Sequence, residues 1–192
     1  TNPTFQVDSF TTGIFQGQTA LTDITLSNRI SILDGSSFNG CTQLKSVHHS
    51  LNTVGTGEFE NCANMNVFSF QNVQTIGHNS FKNTGLTAVA LSHIIDASNN
   101  CFSDCGSLQK LVFGEFMETV VDEMFANCNS LTNISLGTKV KTINTQAFKN
   151  CSSLKHLTLP SNITTIHESA FADCVSLERV RLNHTVNPPS LG

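Results

Sequence analysis

The sequence contains no tryptophan and no tyrosine, and only 12% of its 192 residues are charged. Sugar-binding sites usually stack an aromatic ring on the ligand, so these absences make a lectin the weakest of the binding functions. A net charge of −4 is typical neither of nucleic-acid-binding proteins nor of disordered acidic tails. Because no apolar run approaches the roughly 20 residues that span a bilayer, we expect no direct membrane insertion.

Sequence motifs for catalysis and metal binding are also missing. The seven histidines form no His-x-x-x-His pair and the seven cysteines no Cys-x-x-Cys pair, and neither Gly-x-Ser-x-Gly nor a glycine-rich phosphate loop occurs. His48 and His156 lie five repeats apart, about 24 Å at strand spacing, so they cannot share a metal or a proton. The sequence therefore predicts no enzyme, no metal site and no cofactor.

What the sequence does contain is a regular repeat, marked by a phenylalanine every 21 to 23 residues. A period of this length indicates a solenoid in which each unit buries its apolar side only against its neighbours. We interpret residues 1–192 as one solenoid and as a piece of a longer protein, with a partial repeat at 1–14 and a tail at 183–192. Function should then lie on an extended surface. The register phenylalanines are Phe15, Phe38, Phe59, Phe81, Phe102, Phe125, Phe148 and Phe171.

Each repeat combines two hydrophobic periods. Leu154, Leu157 and Leu159 end in strand-like alternation, whereas Ala170, Phe171 and Cys174 recur at helical spacing. The sequence thus predicts an α/β solenoid of about eight units of 21–23 residues. Short helical or 3₁₀ turns should lie on the convex face, because they are wider than strands, and a parallel sheet on the concave face. The two shortest units predict irregular structure around residues 49–57 and 84–100.

Six of the seven cysteines follow a register phenylalanine by three residues. Without a paired spacing, this column is more typical of small buried side chains than of a metal or redox ladder. Cys101 lies outside the column, four residues before Cys105, and the sequence leaves open a buried thiol, a disulfide with Cys105 or a bond to a partner chain.

Residues between the apolar positions of an alternating strand face solvent, so one column per repeat forms a candidate concave binding face. Most of its side chains are small and uncharged, which offers area and hydrogen bonds and no reactive centre. The candidate residues are Thr25, His48, Ser69, Ala90, Val112, Ser135, Thr158, Arg179 and Arg181.

Charged and modifiable side chains suggest three further features. Arg179 and Arg181 could dock an acidic partner or a sulfated glycan, or could simply be a solvated end strand. The acidic cluster of Glu115, Glu118, Asp122 and Glu123 lacks the spacing of a calcium loop and is interpreted as a solvated loop and helix start. Glycosylation sequons, which could equally be chance, occur at Asn133, Asn150, Asn162 and Asn183.

The pattern Phe-x-x-Cys-x-x-Leu-x-x-Leu-x-Leu, followed by Pro-Ser-Asn-Ile-Thr-Thr-Ile and Ser-Ala-Phe, resembles the BspA-like or Treponema-type leucine-rich repeats. The resemblance covers essentially the whole chain and is clearest over residues 102–182. It implies a leucine-rich repeat solenoid on a secreted or cell-surface protein of mucosal bacteria or parasitic protists. Members of the family are usually proposed to adhere to host proteins or to other cells.

Two functions of different kinds follow from these observations. The first is an adhesion module that grips an extracellular protein, such as a host matrix or cell-surface protein, with its concave sheet. The second is a structural spacer with no ligand of its own. Open sheet edges at the terminal repeats also leave end-to-end self-association open.

Overall fold

A computed structural model describes residues 9–183, which wind into a parallel β-solenoid of about seven turns. Each turn runs through a long strand, a loop, a short strand and a tight turn that carries the register phenylalanine. The long strands are β1 (Asp23–Thr25), β3 (Ser46–His48), β6 (Ala88–Leu91), β8 (Lys110–Phe113), β10 (Asn133–Ser135), β12 (His156–Leu159) and β14 (Arg179–Leu182). The short strands are β2 (Ile32–Leu33), β4 (Thr53–Val54), β5 (Thr75–Ile76), β7 (Asp96–Ala97), β9 (Thr119–Val120), β11 (Thr142–Ile143) and β13 (Thr165–Ile166).

All strand pairs are parallel and join equivalent residues of consecutive repeats, as the sequence predicts. Among the long strands, β1 pairs with β3, β8 lies between β6 and β10, and β12 pairs with β14. The short strands form the orders β2-β4-β5-β7 and β9-β11-β13. The predicted partial repeat is described from residue 9 and the predicted tail only at Asn183; the remainder of both lies outside the described residues.

The long-strand side is interrupted between β10 and β12, which do not pair, and between β3 and β6, at a gap that we call the break. Residues 66–70 form no strand there, although the predicted core side chains Met65, Phe68 and Phe70 are buried. Two aromatic rings occupy positions that elsewhere hold mainly aliphatic side chains, and Phe68 contacts Phe81 at a ring-centroid distance of 4.8 Å. The break thus coincides with the two bulky aromatic side chains of this repeat.

Irregular structure was predicted in the two short units, and of the three interruptions of the ladders only the stop after β7, which does not pair with β9, touches one of them. Strands β4, β6 and β7 are all paired, so residues 49–57 and 84–100 keep their repeat register. Of the two residues that the second short unit lacks relative to a 23-residue unit, one is missing from the turn that contains Thr84 and one from the loop between β6 and β7. The structural effect of this shortening is local, because a turn, unlike a strand, can lose a residue without changing the register of the ladder.

The predicted helical or 3₁₀ turns are wrong, because residues 9–183 contain hydrogen-bonded turns but no helix of either kind. It follows that this part of the chain holds no helix able to cross a membrane. A left-handed residue lies two positions before and two positions after every register phenylalanine, with φ between 52° and 74°. Such residues interrupt a right-handed helix. The pairs are Gly13 and Gly17, Ser36 and Gly40, Gly57 and Asn61, Asn79 and Asn83, Asn100 and Asp104, Glu123 and Asn127, Gln146 and Asn150, and Ser169 and Asp173.

The turns are stabilised by backbone hydrogen bonds between consecutive repeats, and not by hydrogen bonds along a helix axis. The Phe59 amide donates to the Ser80 carbonyl at 2.8 Å, and the Phe125 amide donates to the Ala147 carbonyl at 2.8 Å. The acidic cluster at residues 115–123 consequently has no helix dipole to complement, which corrects its interpretation as a helix start.

The core is a continuous stack of the register phenylalanines. Rings of consecutive repeats lie 5.2–5.5 Å apart between centroids, and the six rings from Phe38 to Phe148 are fully buried. Phe15 and Phe171, at the two ends of the described stack, are only partly buried. Each ring is therefore covered by the next repeat, so the repeats depend on their neighbours for stability.

Candidate binding face

The long strands present one side to the core and the other to solvent. We call the solvent side of the seven long strands, together with Ser69, the long-strand face. Ladder register places Thr25 beside His48, Val112 between Ala90 and Ser135, and Thr158 beside Arg181. Arg179 lies one column over, beside His156. Ser69 is exposed but falls in the break. The structure thus brings the predicted residues onto one surface, and their role in binding stays a prediction.

An open pocket of about 430 Å³ lies on the long-strand face beside the break. Its apolar lining includes Phe68, Phe70, Ala88, Ala90 and Val112. The sequence analysis named Ala90 and Val112 but missed the pocket. A usable signal was present, since two exposed alanines follow the only repeat with phenylalanine at both inner strand positions.

The charges of the long-strand face are opposite in sign to those of the whole chain. Strands β6, β8, β10, β12 and β14 contain Lys110, Arg179 and Arg181 but no Asp or Glu. Asp23 on β1 accepts a hydrogen bond from Ser46 Oγ at 2.6 Å, and the bonds from Ser46 and Thr22 lower the pKa of this carboxyl. One end of the face is therefore basic although the net charge is −4.

The acidic cluster does not form a metal site. Glu118 pairs with Lys141 at 2.9 Å, Glu115 accepts a hydrogen bond from the Thr138 hydroxyl, and Asp122 accepts one from the Thr145 amide. Three of the four carboxylates thus contact the following repeat, and the group does not converge on one point. Among residues 9–183 no set of three His, Cys, Asp or Glu side chains could hold a metal ion.

All seven cysteines are buried and free, as predicted for structural thiols. The six column thiols share a role that the sequence did not reveal, since each donates a hydrogen bond of 3.1–3.4 Å to the carbonyl of the preceding repeat's register phenylalanine. Burial raises the pKa of Cys62 to about 12 and that of Cys105 to about 11, so these thiols are poor nucleophiles. Cys101 forms no disulfide with Cys105 and is too buried to reach a partner chain.

This role predicts a ranking of substitutions at Cys128, whose thiol donates to the Phe102 carbonyl. Cys128→Ala should lower the free energy of unfolding by about 1–2 kcal/mol, because the carbonyl loses its donor and a small cavity remains. Cys128→Ser keeps a donor and should cost less. Urea denaturation followed by far-ultraviolet circular dichroism measures both. A serine variant with a lower free energy of unfolding than the alanine variant would mean that the thiol stabilises the fold by its apolar volume alone.

Two ionisable side chains, one half-buried and one fully buried, lie in the solenoid without full hydrogen bonding. His49 occupies a position expected to hold leucine; its ring stacks on Phe68 at 4.4 Å and its Nδ1 accepts the Leu51 amide proton at 3.1 Å. Its Nε2 has no partner in good geometry, although the Ser69 backbone lies near it. Burial lowers the pKa of His49 to about 4.

Glu58 is the second of these groups. It is fully buried immediately before Phe59, and neither carboxylate oxygen has a partner in good geometry despite the nearby Ser37 hydroxyl. Burial raises the pKa of Glu58, and the neighbouring Asp34 carboxylate adds to the effect. Because both pKa values change on folding, both groups make the stability of the fold depend on pH. Neither group lines the pocket.

The sequons lie in different environments. Asn150 is half-buried in the turn, where its amide donates to Asn127 Oδ1 at 3.1 Å and Asn127 in turn donates to Asp104 at 2.8 Å. A glycan on Asn150 would break this side-chain ladder. Asn133, Asn162 and Asn183 are exposed, so glycosylation stays a prediction for these three.

Comparison with known proteins yields one family match. The model of the BspA type leucine-rich repeat region matches in six copies over residues 2–108 and 74–188. No curated protein sequence matches the chain significantly.

Solved structures share the fold. A leucine-rich repeat protein from Bacteroides ovatus ATCC 8483 has a TM-score of 0.79 and 21% identity, with 93% of this chain and 55% of that one covered. A leucine rich cell surface protein from Faecalibacterium prausnitzii A2-165 has a TM-score of 0.60 and 19% identity, with 91% and 63% covered. The leucine-rich repeat protein of T. pallidum has a TM-score of 0.67 and 22% identity, with 75% and 70% covered. The chain thus spans 55% and 63% of the length of the first two.

Proposed function

Because the chain belongs to the BspA-type leucine-rich repeat family, we propose that it is a protein-binding adhesion module of a secreted or cell-surface protein. In this proposal the long-strand face binds an extracellular protein, such as a host matrix or cell-surface protein. The similar protein of F. prausnitzii, which is described as a cell surface protein, supports the location.

The observation that carries the proposal is the extended exposed surface along the long strands, which form three successive parallel ladders. From β1 to β14 it spans seven steps between strand positions, about 34 Å at strand spacing, which matches an extended segment of about ten residues. It combines hydrogen-bonding side chains such as Ser135 and Thr158 with an apolar pocket and a basic end. Surfaces of this kind suit protein ligands, whose binding depends on an apolar anchor within a polar rim.

The alternative, a structural spacer, is favoured by the small and uncharged side chains in much of the same face. Thr25, Ser69 and Ser135 offer little to hold a ligand by themselves. End-to-end self-association also stays a proposal, supported by the exposure of Val175, Val180 and Leu182 on the last described turn. Neither nucleic acid nor membrane insertion forms part of the proposed function.

The test is binding of the chain to a panel of immobilised extracellular-matrix and plasma proteins, measured by surface plasmon resonance. We expect saturable binding to at least one protein, weakened at least tenfold by the triple variant Ser69→Glu, Ala90→Glu, Val112→Glu. A matched control, Asn52→Glu, Gln74→Glu, Thr164→Glu, adds the same charge at exposed positions before the short strands and should bind normally. Absence of binding by the folded chain would favour the spacer.

A further inference from the structure

We infer that the pocket beside the break is the anchor point for an extended acidic segment of the partner protein. One large apolar side chain of that segment enters the pocket, and carboxylates that follow it along the face pair with Arg179 and Arg181. The inference rests on the proposed function and deepens it by stating the chemistry of the partner.

The pocket is built to take an apolar side chain. Its base is formed by Phe68 and Phe70, which are 8% and 6% exposed, and its walls by Ala88, Ala90 and Val112. The small alanine side chains leave this space open, whereas the matching positions on the neighbouring strand β8 carry the larger side chains of Lys110 and Val112. A volume of about 430 Å³ has room for a phenylalanine or leucine side chain. Large apolar side chains that fill such pockets supply most of the binding energy of protein interfaces.

The rim of the pocket is basic. His93 and Lys110 line it together with the hydroxyl of Ser92, and none of its lining residues is acidic. An acidic residue beside the apolar anchor would therefore meet a cation and two further polar groups. The same residue would be repelled at the other end of the face, where Asp23 lies on β1.

The spacing of the cations fixes the length of the segment. Between β6, which lines the pocket, and β14, which carries both arginines, the long strands advance by four steps, about 19 Å at roughly 4.8 Å per step. An extended chain covers this distance in about six residues, at roughly 3.3 Å per residue. The expected ligand therefore has an apolar anchor, an adjacent acid, and further acids about six residues away.

Other anionic polymers fit these features less well. A sulfated glycan supplies anions but no large apolar group for the pocket. A single-stranded nucleic acid needs exposed aromatic rings for its bases, and Phe68 and Phe70 are almost completely buried. A protein segment alone supplies both parts at the required spacing.

The inference is tested with two fluorescent heptapeptides, Phe-Asp-Gly-Ser-Gly-Asp-Glu and its reverse, since the face does not fix the chain direction. Anisotropy titrations at 50 mM and 300 mM NaCl should show binding that weakens with salt, because the pairs with the arginines are exposed. Ala90→Leu fills the pocket and should weaken binding at least tenfold. Arg179→Ala with Arg181→Ala should weaken it about tenfold and remove most of the salt dependence.

Matched controls separate pocket and charge from loss of folding. Thr25→Leu places the same leucine side chain at the far end of the face and should bind like the wild type. Ala88→Leu blocks the pocket from a second position, and thermal melts of all variants confirm folding. A peptide with glycine in place of its phenylalanine should bind weakly and equally to wild type and Ala90→Leu.

The inference is overturned if neither peptide binds the folded wild type with a dissociation constant below about 1 mM, an affinity in the weak range. It is also overturned if both pocket-filling variants bind like the wild type, or if a heparin fragment binds and the peptides do not. Panel binding that is lost in the triple glutamate variant but kept in Ala90→Leu would uphold the proposed function and reject the pocket. Peptide binding without panel binding would uphold the pocket and reject only matrix and plasma proteins as ligands.

Discussion

Phe125→Ala is expected to lower the free energy of unfolding by about 3–5 kcal/mol, the usual cost of removing a buried aromatic side chain. Phe125 is fully buried, stacks on Phe102 at 5.4 Å and on Phe148 at 5.5 Å, and meets the edge of Phe113 at 5.9 Å. Its loss opens a cavity that borders two other repeats. Because repeats are stabilised mainly by their neighbours, this damage falls on both sides of the substituted unit.

Urea denaturation followed by far-ultraviolet circular dichroism measures this loss, since the chain has no tryptophan or tyrosine to report by fluorescence. The matched control is Phe171→Ala, at the end of the described stack, where the ring is half-buried and stacks on Phe148 alone. There we expect a cost of about 1–2 kcal/mol, in proportion to the smaller buried area. Equal costs at the two positions would contradict a core in which each ring is covered from both sides.

Acidification is expected to destabilise the protein through His49, by up to about 3 kcal/mol, and by less where water screens this half-buried ring. The pKa of this side chain falls from 6.5 to about 4 on folding, and one pKa unit corresponds to about 1.4 kcal/mol. Between these two values the unfolded chain binds a proton that the folded chain does not. The stability contributed by neutral His49 is therefore complete above pH 6.5 and is lost as the pH falls towards 4.

The substitution that isolates this effect is His49→Leu, which restores the residue typical of the position. Its free energy of unfolding, measured against that of the wild type from pH 7.5 to pH 4, should rise relative to the wild type as the pH falls. His48→Leu is the matched control, because His48 is exposed on the other side of the same chain segment. A constant difference between wild type and His49→Leu across this range would contradict a buried neutral imidazole.

Glu58 must be considered in the same measurement, because its dependence on pH has the opposite sign. Its pKa is raised on folding, so its contribution is greatest at low pH and is lost as the pH rises through the folded-state pKa. Comparing His49→Leu with the wild type, both of which retain Glu58, removes this contribution from the difference.

Much of the fold was predictable because the same residue types recur at equivalent positions of each repeat. The 21–23-residue period placed the phenylalanine stack, and the alternation at Leu154, Leu157 and Leu159 placed the long strands in their register. The cysteines were predictable as buried, but their hydrogen bonds to phenylalanine carbonyls were not. A thiol three residues after a phenylalanine gives no sign that its acceptor lies in the preceding repeat.

The candidate face was only partly predictable for a related reason. Alternation assigned Thr158 and Arg181 to solvent, and ladder register then placed them side by side. The pocket depends on Phe68 and Phe70 of one repeat, Ala88 and Ala90 of the next, and Lys110 of a third. No local pattern shows how three repeats combine where a strand fails to pair.

The sequence by itself determined that the chain is a solenoid of stacked repeats, because burial of one apolar column per repeat is satisfied only by the neighbouring repeat. It also determined which side chains face the core and which face solvent. The tertiary structure alone decided that the turns are not helical, although Ala170, Phe171 and Cys174 have helical spacing. Left-handed residues on both sides of each phenylalanine direct the turn amides to the next repeat, and bonds to a neighbour depend on stacking that no single repeat contains.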